Sequence, residues 1–166
     1  MDAVIAYVNG EDPNWLNEIN KYTNDIHKRR YRDFGWLKYL LRGIEKYIPW
    51  IDNVFIIVSS ESQIPDWANR DKIHFVLHRD YIPKELLPTF NSSTIECFLP
   101  LIDGLSEEFI YFNDDMYIIN DIKYEDCFIN NKAIIPICDI VKQNSYDNNI
   151  YYNLINNSIH LANNYG

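Results

Sequence analysis

Four short apolar runs, separated by stretches with helical periodicity, constrain the fold of this chain more than any other feature. They are residues 2–8 (DAVIAYV), 54–58 (VFIIV), 73–77 (IHFVL) and 109–112 (FIYF). Each is short, mostly apolar and bounded by turn or capping residues, so each reads as a buried strand. Between the first two, Leu37, Leu40, Leu41, Ile44, Tyr47 and Ile48 follow the 3, 4, 7 spacing of an amphipathic helix, which Pro49 stops. Shorter helices are expected from Trp15 towards His27, capped by Asn14, and from Ser93 to Leu101 behind Asn91 and Ser92. A short helix at 124–128, a strand at 133–138 and an amphipathic helix marked by Tyr146, Ile150, Leu154 and Leu161 complete the reading. Strands alternating with helices imply an α/β fold: one Rossmann-like layered domain, its mostly parallel sheet flanked by helices. A chain of 166 residues, 47% hydrophobic, is long enough for such a core.

In sheets of this kind ligands sit outside the carboxyl ends of the strands. The fourth run ends in Asn113, Asp114 and Asp115, and a second apolar run, 116–119, follows at once. One reading is a polar β-turn. The other is a metal site, because carboxylates beside a low-dielectric core shift their pKa or need a cation, and hard oxygens suit Mg²⁺ or Mn²⁺. The first run ends in the turn Val8-Asn9-Gly10, with Asp12 close behind. His78 follows the third run and is either a capped loop histidine or a substrate contact. Asn91 and Ser92 are caps, or caps that also touch an anionic ligand at a helix N-terminus. The one dense basic cluster, residues 28–33 (KRRYRD), is either a solvated surface or a phosphate contact through arginine. Arg42, ten residues after Arg32, either points to the same site or pairs with Glu45.

A net charge of −9 argues against nucleic acid as a partner, since a phosphate backbone demands a basic footprint. Three cysteines without a CxxC pair fit a reducing compartment. No apolar run approaches the length of a transmembrane helix, and the N-terminus enters a strand rather than a signal peptide. The expectation is a cytoplasmic protein, with peripheral membrane association through a partner left open.

Several longer strings then resemble one family. DAVIAYVNGEDPNW at 2–15 is similar to the first signature region of the Stealth proteins, a strand followed by a V-[ND]-G-x-D-P-x-W turn. RYRDFGWLKYLLRGIEKYIPWIDNVFIIV at 30–58, LPTFNSSTIE at 87–96 and GLSEEFIYFNDDMYI at 104–118 resemble the second. A third region is only begun, across 145–166. The resemblance therefore implies the N-terminal part of a larger catalytic domain, with regions at 1–15 and 30–128. Trp36 departs from the pattern, since some relatives carry Glu there.

Stealth proteins are bacterial capsular and exopolysaccharide phosphotransferases, related to the catalytic subunit of animal N-acetylglucosamine-1-phosphotransferase. The resemblance implies metal-dependent transfer of a sugar-1-phosphate from a nucleotide-sugar donor to a hydroxyl of an acceptor glycan. It implies Asp114 and Asp115 as metal ligands and Arg32 and Arg42 as charge-stabilising catalytic groups. Val8, Asn9, Gly10, Asp12, Asn91, Ser92 and Asn113 would line the donor site. Two other readings accompany it: a homologue that binds donor or a partner without turnover, and a conventional metal-dependent glycosyltransferase.

Overall fold

A computed structural model describes residues 1–24, 26, 31–130 and 132–134. The chain divides into two compact units, Met1–Asp126 and Cys127–Gly166. The four apolar runs form one sheet in the first unit: β1 (Asp2–Ala6), β2 (Asn53–Val58), β3 (Ile73–Leu77) and β4 (Phe109–Asn113). All its pairings are parallel, in the order β3-β2-β1-β4. The expected parallel α/β sheet is thus the observed one. A parallel sheet is covered on both faces, which is why its strands are nearly continuous apolar runs.

The period-two alternation of each strand divides the core. Ala3, Ile5 and Tyr7 point to one face with Ile56, Val58 and Phe112, and the buried side of α2 (Leu37–Tyr47) packs there through Leu37, Leu40 and Ile44. Val4, Phe55 and Ile57 point to the other face, against Tyr81, Ile82, Leu99 and Ile102. The chain makes β2 and β3 on one side of β1, then returns to lay β4 on its other side. The strand order therefore reverses between β1 and β4.

Several helices differ from expectation for local reasons. α1 covers Pro13–Ile19, and its cap is Asp12, whose Oδ1 accepts the Asn14 amide at 2.9 Å. Pro13 suits the first helical position, where no amide hydrogen is needed. The residues after Leu77 form a single helical turn, α3 (His78–Tyr81). α4 (Ser92–Cys97) is capped by Asn91 as expected, but it gives way to a 3₁₀ turn at Leu99–Leu101, where Pro100 cannot donate. The run at 116–119 is not a buried segment. Ile118 alone is buried, against α2, while Met116, Tyr117 and Ile119 are exposed.

α5 covers Tyr124–Cys127. In the second unit β5 (Phe128–Ile129) and β6 (Lys132–Ala133) form an antiparallel pair. The remainder of the strand expected at 133–138 and the helix marked by Tyr146 to Leu161 lie outside the described residues. Among those described, no helix is long and apolar enough to cross a membrane.

Candidate active site

The reversal of strand order matters because it leaves a crevice at the carboxyl ends of β1 and β4, the place where α/β sheets bind ligands. Ala6 and Asn113 are register partners there. Beyond Asn113 the chain turns, with the Met116 amide donating to the Asn113 carbonyl at 3.2 Å. That turn sets Asp114 and Asp115 at the strand end, so the polar turn and the acidic site are one object. The Val8 amide, just past β1, donates to Asp114 Oδ2 at 3.2 Å across the crevice.

Burial pushes the Asp114 carboxyl up to about 6. The Val8 hydrogen bond opposes this, and the neighbouring charges of Asp115 and Asp33 add to it. Asp33 was not singled out as a site residue from sequence. It accepts the Tyr7 hydroxyl at 2.7 Å and the Gly35 amide at 2.5 Å. Burial and Asp33 hold the Tyr7 phenol far above its usual range, so it stays a proton donor. The signals were faint: Tyr7 lies inside an apolar run, and Asp33 is the lone carboxylate of the basic cluster.

Two clefts meet at the acidic pair. One, of about 280 Å³, is lined by Ile57, Ser92, Ile95 and Tyr111 on one face of the sheet, with Asn113, Asp114 and Asp115 at its floor. It shares Trp15, Ser59, His78, Thr89 and Phe90 with a larger cavity of about 510 Å³, which also reaches Arg79 and Lys84. The other cleft, of about 420 Å³, shares Tyr7, Val8, Tyr31 and the two carboxylates with the first and is completed by Arg32, Asp33, Phe34, Trp36 and Leu37. Leu37 belongs to the α2 side of the core.

His78 stands at the neck between the first cleft and the larger cavity. It is 8% exposed, and its ring nitrogens have no hydrogen-bond partner among the described residues. No buried side-chain nitrogen or oxygen there is left unpaired, so those of His78 must open onto the cavities. Burial lowers its pKa to about 4, which keeps the ring neutral near pH 7.

The structure brings Val8, Arg32, Ser92, Asn113, Asp114 and Asp115 to these clefts. Other expected site residues stand elsewhere. Arg42 is exposed on α2 with its guanidinium 5.6 Å from the Tyr39 ring centre, and it lines neither cleft. Asn91 serves as the α4 cap, its Oδ1 accepting the Ser93 amide at 2.9 Å. Asn9 and Asp12 are tied to Gln63, a buried residue that sequence reasoning missed. The Asn9 amide donates to Gln63 Oε1 at 2.7 Å, and Gln63 Nε2 donates to Asp12 Oδ2 at 2.7 Å. Ser62 donates to the same Asp12 oxygen at 2.6 Å. Gly10 is a close-approach position: its amide donates to the Tyr31 carbonyl at 3.1 Å, and a Cβ would stand 2.1 Å from that oxygen. The turn after β1 thus fastens the Tyr31–Trp36 segment beside the acidic pair. Among the described residues, no group of three or more His, Cys, Asp or Glu is arranged to hold a metal ion.

Residues 30–135 match the family described as Stealth protein CR2, conserved region 2. The chain belongs to the Stealth family. It is 42% identical over 164 residues to the capsular polysaccharide phosphotransferase CpsJ of Streptococcus thermophilus; the match covers 92% of this chain and 68% of that protein. It is 43% identical over 141 residues to the capsular polysaccharide phosphotransferase WcwK of Streptococcus pneumoniae, covering 79% of this chain and 42% of the relative. The exopolysaccharide phosphotransferase cps2G of Lactiplantibacillus plantarum is 38% identical over 133 residues, with 77% and 39% covered. The matched Stealth region carries Arg32, Asp33 and the acidic pair, whereas Val8 precedes it. The crevice is therefore built by the Stealth region together with a strand outside it.

Proposed function

We propose that this Stealth chain carries the metal- and donor-binding part of a phosphotransferase that moves a sugar-1-phosphate from a nucleotide-sugar to a hydroxyl of an acceptor glycan, in capsular or exopolysaccharide synthesis. The observation that carries the reading is the pair Asp114–Asp115 at the crevice where the strand order reverses, with Asp114 half-buried and oriented by Val8. The relatives' names support phosphotransfer and the polysaccharide context.

In the reaction the acceptor oxygen bonds to the phosphorus of the sugar-1-phosphate. The bond from that phosphorus to the bridging pyrophosphate oxygen breaks, and the nucleoside monophosphate leaves with the electron pair. The acceptor's proton passes to a base. Such transfer depends on positioning and on neutralising the phosphate oxygens more than on covalent chemistry.

A divalent cation fits the residues present. Asp114 is desolvated beside two other carboxylates, which is a cost that bound positive charge removes. Two carboxylates rather than a full cage suit Mg²⁺ or Mn²⁺, which take remaining ligands from water and substrate phosphates. When bound, the ion would neutralise charge on the pyrophosphate. Asp114 and Asp115 would hold it, the Val8 amide fixes the Asp114 rotamer, and Arg32 at the cleft mouth offers a guanidinium to phosphate oxygens. Ser92 and Asn113 present hydroxyl and amide groups to the donor side.

The test is ³¹P NMR of reactions containing nucleotide-sugars, capsular glycan and Mn²⁺. A phosphodiester resonance with release of nucleoside monophosphate is expected, and Asp115→Ala should remove it. Release of nucleoside diphosphate with a plain glycosidic product would replace the reading with ordinary glycosyl transfer. Undiminished turnover by Asp115→Ala would end the metal assignment.

A further inference from the structure

The two clefts share Tyr7, Val8, Tyr31 and the two carboxylates, and differ in the side chains that complete them. In the second, the Phe34 and Trp36 rings stack with centroids 4.9 Å apart and planes 22° from parallel, and Tyr117 meets Trp36 edge-on at 5.9 Å. Phe34 is 56% exposed and Tyr117 47%. Contiguous aromatic surface left in water usually marks a binding site, because burying it elsewhere would have been favourable. Around this aromatic group the cleft carries Arg32, Asp33, Asp114 and Asp115.

That combination selects a ligand. Flat apolar rings want an apolar face, while carboxylates and a guanidinium want hydroxyls. Without a bound cation, three carboxylates against one guanidinium favour a neutral ligand over an anion. The first cleft opens instead into a cavity bearing Arg79 and Lys84. Phosphoryl transfer also needs the attacking and leaving oxygens roughly in line, so donor and acceptor require separate openings onto the same carboxylates. Beyond their shared wall the clefts diverge, one running past Ile57, Ile95 and Tyr111 and the other past Phe34, Trp36 and Leu37.

We propose that the Phe34–Trp36 cleft is the acceptor subsite. It takes a neutral pyranose of the acceptor glycan, with the C–H face of the sugar on the aromatic pair and its hydroxyls toward Arg32, Asp33 and the acidic pair. The acceptor role rests on the phosphotransfer reading; the stacking does not.

The test uses the whole chain labelled with 5-fluorotryptophan. Its four tryptophans, Trp15, Trp36, Trp50 and Trp67, give separate ¹⁹F resonances, and Trp36→Phe assigns the one of interest. The probes are methyl β-D-glucopyranoside and methyl β-D-galactopyranoside, titrated without donor or metal. The Trp36 resonance should move saturably while the other three stay in place. Phe34→Ala, at an exposed position that leaves the core intact, should raise the half-saturation concentration roughly three- to tenfold. A Trp36 resonance unmoved by both glycosides, or a Phe34→Ala titration identical to the parent, overturns the subsite. A failed titration beside intact phosphodiester formation removes the acceptor subsite alone. Glycoside binding by a chain that forms no phosphodiester overturns the acceptor role and the phosphotransfer reading together.

Discussion

The amide of Val8 donates to Asp114 Oδ2 at 3.2 Å, joining residues 106 positions apart across the β1–β4 crevice. One neutral donor is weak compensation for a carboxylate with two others close by.

Burial raises the Asp114 pKa in the folded protein to about 6 from the ordinary 3.8, so the folded protein binds more protons between those limits. Its contribution to stability therefore falls as pH rises from 3.8 to 6, and the full cost persists above. Asp114→Asn keeps an acceptor for Val8 and removes the charge. Urea unfolding at pH 8 without metal should show a gain of about 2 kcal/mol, vanishing below pH 4. A variant no more stable than the parent at pH 8 would contradict the argument.

His78 works in the opposite direction. Its folded pKa of about 4 lies below the ordinary imidazole value of 6.5, so the unfolded chain binds more protons in that window. The stability it contributes is complete above pH 6.5 and declines as pH falls toward 4, by up to about 3 kcal/mol. The two slopes overlap and offset each other in the parent. His78→Asn should expose the Asp114 slope, and Asp114→Asn the His78 slope. Unfolding midpoints measured from pH 4 to 7 in both variants check this, and parallel profiles would refute it.

Gly10→Ala places a methyl group 2.1 Å from the Tyr31 carbonyl oxygen and 2.5 Å from Tyr31 Cβ. The backbone must separate, at a cost of about 1–3 kcal/mol. Hydrogen exchange should then lose protection at the Gly10 amide, which donates to Tyr31, before the β1 amides are affected. Unchanged protection at Gly10 would show that the contact is absorbed elsewhere.

Asp12 was read from sequence as a donor contact, but it accepts from Ser62, Gln63 and the Asn14 amide. Burial raises its pKa, and the hydrogen bonds from Ser62, Gln63, Asn14 and Trp15 outweigh that and hold the carboxyl below its usual range. Asp12→Ala should cost about 2 kcal/mol through the lost cap and the stranded Gln63 amide. Asp12→Asn, which keeps the cap, should recover roughly half of that and leave ligand affinity unchanged. A large loss of nucleotide-sugar affinity in Asp12→Asn at full stability would return this residue to the binding site.

Much of the fold could be read before any coordinates, because burial on both faces forces parallel strands to be uninterrupted apolar runs. The strand-end position of Asp114 and Asp115 was legible for the same reason, since β4 ends with its apolar run at Asn113. Strand order was not, since nothing in Val54–Val58 says which run lies beside it. Arg42 shows the limit of spacing as evidence. It shares a helix with site-facing Leu37, yet the turn of the helix carries it to solvent beside Tyr39. The bonds of Asn9 and Asp12 to Gln63 could not be foreseen, because Gln63 comes from a 3₁₀ turn more than fifty residues away.

The strand order also dictates when the crevice can exist. β1 is the first strand of the sheet made and β4 the last, and they pair with each other. A chain emerging from the ribosome can join β1 to β2 and β3 early. It cannot close the loop that seats Asp114 on Val8 until residue 114 is free, and that closure spans nearly all of the first unit. Binding competence therefore arrives as the final step of assembly rather than growing with it. A ligand held between β1 and β4 would act as a clasp on the sheet, slowing its opening from the edge where it was last completed.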